Sequence, residues 1–263
     1  MLIFLYYTYT YNMKTKYFHV ILFLFIILFI FMLFLLYPWT LKLYNKTEKF
    51  EQDPRQIDCY VITLKKPEKM KNIELQQEKI PYPIEIVDAV FGDDLDINRL
   101  VTQGLVSPQY ASLDTKERKR QIGCYMSHLK TLNKIAEKQN QNEYSIIFED
   151  DFDIYPEFTE KLHQYIRDLK DIDFDLLFLG NLIDAYGKHV VSEIYEMTTV
   201  YGTHGYLVNN KHISRIQESM KYIDNHVDLK YSESSSHTLN ILVVHPRIVN
   251  QLRNEFSSDI LVK

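Results

Sequence analysis

Ile146-Ile147-Phe148 runs straight into Glu149, Asp150 and Asp151, with Asp153 close behind. No other stretch restricts the fold of this chain as sharply. A short, wholly apolar run that ends in polar residues reads as a buried strand. Its end carries four carboxylates within five residues, and these repel one another unless positive charge lies between them. A hard divalent cation, Mn²⁺ or Mg²⁺, meets that need because such ions prefer carboxylate oxygens. In open α/β sheets ligands gather at the carboxyl ends of strands, so the acids stand where a metal-bound phosphate ligand is expected. The plainer reading is a solvated acidic turn leading into a helix, whose N-terminus favours acids.

A second feature is the uncharged apolar run from Tyr17 to Tyr37. A bilayer core needs roughly 20 apolar residues of helix. The run is too long and bulky for a signal-peptide core, and no small-residue cleavage site follows it. Tyr37 and Trp39 suit a membrane interface. The expected organisation is a short tail (1–16), a transmembrane anchor (17–37), a polar stem (38–56) and a folded domain (57–263). Localisation is then single-pass membrane. The domain would be lumenal, type II, in a eukaryotic or viral setting, or on the cytoplasmic face of the inner membrane in a bacterium. Lys14 and Lys16 on one side and Lys42, Lys46 and Lys49 on the other leave the orientation undecided by the positive-inside rule.

About 210 residues after the anchor suffice for one domain with a substantial core. Net charge is −5, with no basic stripe, which argues against a nucleic-acid partner. Two cysteines, Cys59 and Cys124, exclude a disulfide framework and a cysteine zinc site.

Strand-like and helix-like stretches alternate. Ile57–Leu64 and Ile84–Val90 are β-rich, and Pro67 starts a helix to about Lys79. Residues 93–117 are polar, with one short helix around Ile97–Thr102. Tyr125, Leu129, Leu132 and Ala136 form one apolar stripe, which predicts an amphipathic helix over Gln121–Gln139. A helix from Pro156 to Lys170, strands at Asp175–Leu179, Val190–Val200, Tyr206–Val208 and Leu239–Val244, and a helix over Lys211–Tyr222 complete the pattern. This alternation means a layered α/β domain.

Several separated stretches together resemble glycosyltransferase family 25, which includes lipopolysaccharide and procollagen galactosyltransferases. They are Tyr60-Val-Ile-Thr-Leu-Lys-Lys-Pro-Glu-Lys-Met70, Ile86-Val-Asp-Ala-Val-Phe-Gly92, Gln121-Ile-Gly-Cys-Tyr-Met-Ser-His-Leu-Lys130, Ile147-Phe-Glu-Asp-Asp151, Gly202-Thr-His-Gly-Tyr-Leu-Val208 and Val244-His-Pro-Arg-Ile-Val-Asn-Gln251, followed by Ser258-Asp-Ile260. Their order follows the family. Two places depart from it: Thr63, Lys65 and Lys66 stand where the first motif carries Asn and then an acidic or Arg residue, and no Pro precedes the late Asp.

The resemblance implies a single domain of glycosyltransferase-A type, a Rossmann-like nucleotide-diphospho-sugar transferase fold. It also implies a UDP-sugar donor, UDP-galactose first, and a glycan or hydroxylated protein side chain as acceptor. A bound Mn²⁺ or Mg²⁺ would neutralise charge on the leaving diphosphate. Within the metal set Glu149, Asp150 and Asp151, Asp151 is the expected direct ligand. Asp150 coordinates or contacts the donor ribose, and Glu149 ligates or orients its neighbours. Ser127 and His128 line the donor pocket, against a reading of His128 as a satisfied structural histidine. Thr63 and Leu64 lie near the nucleobase and Asp88 bonds the nucleoside, although these positions also fit plain turn chemistry. Thr203, His204 and Tyr206 form an acceptor-side wall.

Asp228 is the candidate base that takes the acceptor proton in an inverting transfer, with Asp224 as competitor and a capping role as alternative. His245 approaches the diphosphate or is structural. Asp153 belongs to the loop before Pro156. Cys124 and His128, four apart on a helix, lack a third orienting group for nucleophilic catalysis, so Cys124 reads as a packed small hydrophobe. Two rival functions use the same residues: a metal-dependent phosphohydrolase and a non-catalytic, membrane-tethered sugar-binding module.

Overall fold

The computed structural model describes Leu28, Phe29, Met32, residues 57–112, 115–138 and 142–253, Glu255 and Phe256. The described residues from Ile57 to Phe256 belong to one compact unit.

Among the described residues ten strands occur: β1 (Ile57–Thr63), β2 (Ile84–Asp88), β3 (Tyr144–Glu149), β4 (Phe152–Ile154), β5 (Leu176–Phe178), β6 (Tyr186–Val191), β7 (Ile194–Met197), β8 (Gly205–Asn209), β9 (Ile241–Val244) and β10 (Val249–Gln251). Eight of them make one mixed sheet in the order β2-β1-β3-β8-β5-β9-β7-β6, and β10 pairs with β4 in a small antiparallel ribbon. Helices are α1 (Pro67–Gln77), α2 (Ile97–Thr102), α3 (Pro108–Ala111), α4 (Lys116–Glu137), α5 (Phe158–Asp168), α6 (Ile213–Met220) and α7 (Val227–His237).

The sheet lies between two layers of helix because its strands are apolar on both faces. Alternation along β1 sends Tyr60 and Ile62 to one core, with Ile122, Tyr125 and Leu132 of α4, Ile216 of α6 and Tyr231 of α7. It sends Cys59 and Val61 to the other, with Ile73 of α1 and Phe158, Leu162 and Tyr165 of α5. Each such side chain, fully buried, contributes about 1.5–3 kcal/mol. Cys59 and Cys124 are both free thiols, and they belong to opposite faces of the sheet.

Helix α4 begins five residues before the apolar stripe suggested. Thr115 caps it by accepting a hydrogen bond from the Arg118 amide at 3.1 Å. Its first turn is a charged, solvated extension whose buried face starts at Gln121. Val190–Val200, expected as one stretch, is the end of β6 and a separate β7, turned at Ser192 with φ 50°.

The expectation of single-pass membrane localisation is corrected. Among the described residues no helix is long and apolar enough to cross a membrane. The 22-residue α4 has the length but opens on five charged residues and carries Lys130, Lys134 and Glu137 further along. Apart from Leu28, Phe29 and Met32, the 17–37 run lies outside the described residues, as do the 1–16 tail and the 38–56 stem.

Candidate functional site

Strand β1 pairs in parallel with β2 on one edge and with β3 on the other. The chain therefore reverses its winding direction at β1, and a crevice opens where connections leave the sheet in opposite directions. A cleft of about 870 Å³ lies there. Thr63 and Leu64 at the end of β1, Ser127 and His128 on α4, Glu149, Asp150 and Asp151 at the end of β3, Thr203, and Asp228 on α7 all line it.

The four acids of the opening motif divide among separate partners. Glu149 ends β3 and accepts hydrogen bonds from Thr203 Oγ1 at 2.5 Å and from His128 Nε2 at 3.2 Å. His128 Nδ1 meets the Tyr206 hydroxyl at 2.8 Å, which continues to Tyr231. Burial alone would raise the Glu149 carboxyl, but the His128 ring and Thr203 outweigh it and hold it well below the usual carboxylate range. Asp150 and Asp151 form the two-residue turn after β3 and face Lys69 of α1, whose Nζ lies 2.9 Å from Asp150 Oδ1 and 3.5 Å from Asp151 Oδ2. Asp151 also accepts from Gln251 Nε2 at 3.1 Å. Burial, reinforced by Glu149, nevertheless raises its carboxyl to about 6. Asp153 leaves the cleft altogether and pairs with Lys79 at 2.9 Å.

Close backbone approach shapes the opposite wall. A Cβ on Gly123 would come within 2.7 Å of the Val90 carbonyl oxygen, and one on Gly92 within 2.4 Å of the Arg120 Cα. Without those atoms α4 lies directly against the loop after β2. Ser127 Oγ accepts from the Val90 amide at 2.8 Å and donates to the Gly123 carbonyl at 2.7 Å, so its hydroxyl clamps that contact. Thr63 Oγ1 similarly accepts from the Lys65 amide at 2.9 Å, in a turn where Lys65 takes φ 57°.

Asp228 lies in the first turn of α7. The Gly202 amide donates to its Oδ2 at 3.3 Å and its neighbour Leu229 donates to Oδ1 at 2.9 Å. Gly202 precedes Thr203, so one short loop connects Asp228 to Glu149. Asp224 is instead held by Lys230 at 2.8 Å and does not line the cleft.

Other expected positions lie elsewhere. Asp88 is exposed, pairs with Lys65 at 2.5 Å and is not among the cleft residues. His204 is fully buried behind Thr203. Burial depresses it to about 4, against the pull of Glu149. Tyr206 is buried under His128 and also does not line the cleft. His245 lines a separate cavity of about 280 Å³ with Asp184 and Tyr186.

Cys124 does line the cleft, and its sulfur lies with a His128 nitrogen and a Glu149 oxygen within 4.8 Å of one another. Burial pushes its thiol well above the ordinary value, and Glu149 adds to the effect.

Lys69, Arg120, Gln251, Arg253 and Phe256 complete the wall and were not legible as site residues. Lys69 stands in the first family motif, but only the fold brings it to acids some 80 positions away. Strand β10 returns along β4, the Leu252 amide donates to the Asp151 carbonyl at 2.8 Å, and Arg253 Nε donates to Gln251 Oε1 at 2.8 Å.

Comparison with known proteins accords with the motif pattern. No curated protein sequence matches the chain. Similar solved structures include a glycosyltransferase involved in the glycosylation of the major capsid of PBCV-1, with 13% identity, 72% of this chain and 94% of that chain covered, and a TM-score of 0.37. TarS 1-349 of S. aureus has 12% identity, 74% and 59% coverage and a TM-score of 0.37. Mannose-1-phosphate geranyltransferase from Thermus thermophilus has 10% identity, 74% and 76% coverage and a TM-score of 0.39. Residues 56–230, which carry β1, the Gly-Cys…Ser-His helix, the acidic turn and Asp228, match the family model of glycosyltransferase family 25 (LPS biosynthesis protein). The chain belongs to glycosyltransferase family 25.

Proposed function

We propose that this glycosyltransferase moves a hexose, galactose first, from a UDP-sugar to a hydroxyl of a glycan or a hydroxylated protein side chain. In this reading residues 57–263 are a glycosyltransferase-A type body and Mn²⁺ or Mg²⁺ is the cofactor. One observation carries it: a single cleft at the sheet's switch point is lined by the Asp150–Asp151 pair and by Asp228. Ions of this class are commonly held by one or two carboxylates together with substrate phosphates, and Asp150 and Asp151 supply that pair. Glu149, already bonded to His128 and Thr203, serves as an orienting group. When bound, the cation neutralises charge on the leaving diphosphate.

The remaining work falls to the chain's own residues. Thr63 and Leu64 frame the nucleobase end, and Ser127 fixes the loop after β2 against α4. Lys69 and Arg253 add positive charge beside the diphosphate. Asp228, held by two backbone amides, accepts the proton of the acceptor hydroxyl. The new bond forms between that oxygen and the sugar's anomeric carbon as the bond to the diphosphate breaks, and UDP leaves. Asp88 has no role in this scheme.

The test is a panel of UDP-sugars offered to the full chain with Mn²⁺, reading transfer and UDP release together. Transfer from one donor that stops on adding EDTA is the expected result. Transfer that persists in EDTA removes the metal. Sugar-nucleotide breakdown without acceptor product points to a phosphohydrolase, and binding without turnover points to a sugar-binding module.

A further inference from the structure

Lys69 already occupies the place between Asp150 and Asp151 where a cation is expected. Its ammonium contacts both carboxylates, its side chain is 3% exposed, and it lies 4.7 Å from the centroid of the Phe256 ring. Gln251 holds Asp151 by its amide. A divalent ion bound to these carboxylates at about 2.0–2.2 Å would bring its charge within a few ångströms of the ammonium. Like charges that close, in a partly buried site, repel strongly. Driving Lys69 off would leave a buried ammonium without its carboxylates. A diphosphate removes both objections, since its oxygens take up the ammonium while the carboxylates turn to the metal.

We propose that Lys69 is a resident counter-ion that closes the metal site until a nucleoside diphosphate arrives, so that cation and donor bind as a coupled pair. Lys69 is here a positioning residue, and the inference rests on the metal-dependent reading above. The Phe256 face gives the displaced ammonium a second resting place. By linkage, cation and diphosphate raise each other's affinity by the same factor.

The experiment titrates Mn²⁺ into the full chain, with and without saturating UDP, by the loss of the free-Mn²⁺ electron paramagnetic resonance signal and by calorimetry. The wild-type chain should bind Mn²⁺ weakly alone and roughly 10–100-fold more tightly with UDP. In Lys69→Met, Mn²⁺ alone should bind about tenfold more tightly and the UDP enhancement should shrink to a few-fold. Lys69→Gln gives the same neutralisation if the Met variant fails to fold, and Lys69→Arg should keep the wild-type pattern. Asp150→Asn should abolish the coupled signal, separating it from binding at Cys124, His128 and Glu149. Mn²⁺ binding indifferent to UDP, or an enhancement unchanged in the neutral variants, overturns the role of Lys69 alone. UDP binding of equal strength in EDTA overturns the metal reading itself and this inference with it.

Discussion

Two acid-rich pentads of this chain, Glu149-Asp150-Asp151-Phe152-Asp153 and Asp171-Ile172-Asp173-Phe174-Asp175, are close in composition and opposite in consequence. The first leaves the carboxyl end of β3 and puts two carboxylates on the wall of the cleft facing one lysine. The second leads into the amino end of β5. There Asp175 is fully buried, pairs with Arg215 at 2.5 Å and His212 at 3.2 Å, and accepts from the Asn240 amide at 2.6 Å. No residue of the second pentad lines the cleft. Acid density alone thus marks nothing. What separates a ligand-facing cluster from a structural one is the end of the strand it occupies.

The comparison breaks most visibly through catalysis. Asp228→Asn removes the proposed base while keeping the shape, so transfer should fall roughly 10²–10⁴-fold with UDP-sugar binding preserved. An unchanged rate would take the base away from Asp228. Asp151→Ala should cost roughly 10²–10³-fold in transfer, with loss of the Mn²⁺ dependence of donor binding. Mn²⁺-stimulated transfer surviving in that variant would remove Asp151 from the ligand set. Asp175→Ala is the matched change in the other pentad. Leaving the Asn240 amide without its buried acceptor, and the half-exposed Arg215 without its nearest carboxylate, should cost about 2 kcal/mol, a drop of roughly 6 °C in melting temperature. The donor affinity of the folded protein should not move. If Asp175→Ala weakens donor binding as much as Asp151→Ala does, the distinction between the pentads fails.

Much of the parallel half of the sheet was legible because its signals are local. Strands β1, β2 and β3 are apolar runs with clear ends, and α2 matches its expected bounds. The rest depends on partners far along the chain. Helix α7 carries the serine-rich run Ser232-Glu-Ser-Ser-Ser-His237, with no apolar stripe to reveal it, and is held by Val227 and Tyr231 against the core. Strands β4 and β10 are three residues each, below what alternation can resolve. In the site, the acids could be read from the sequence as a cluster that calls for positive charge. That a lysine of α1 meets it could not be seen, since burial beside both carboxylates exists only once α1 packs beside β3.

A smaller effect sharpens the geometry of the cleft wall opposite the acids. Gly123→Ala would drive a methyl group into the Val90 carbonyl oxygen and the Gly92 backbone, both closer than 3.0 Å. Backbone on both sides leaves no flexible group to yield, so α4 and the loop after β2 must separate at a cost of about 1–3 kcal/mol. Ser127 would lose its grip on the Val90 amide. We expect the KM for the donor to rise several-fold with a modest change in kcat. A kcat loss at unchanged KM would mean that this wall contacts the reacting centre instead.

The smallest expected effect concerns His204, fully buried beside Glu149 yet outside the cleft. Its folded-state value is depressed from 6.5 to about 4 by burial. Between these values the unfolded chain binds more protons than the folded one, so this histidine's share of stability rises with pH. The share is intact above about pH 6.5 and is lost as pH falls toward 4, reaching about 2 kcal/mol at pH 5. Asp151, raised to about 6, acts with the opposite sign over much of the same window, because its neutral form is favoured in the folded state. The wild-type curve alone therefore mixes the two. His204→Phe removes the first and leaves Asp151 in place, and its larger ring adds a cost that does not vary with pH. Melting temperatures measured from pH 4.5 to 7.5 should show the variant gaining on the wild-type chain as the medium becomes more acidic, and a difference that stays flat with pH would mean that His204 is not held neutral in the fold.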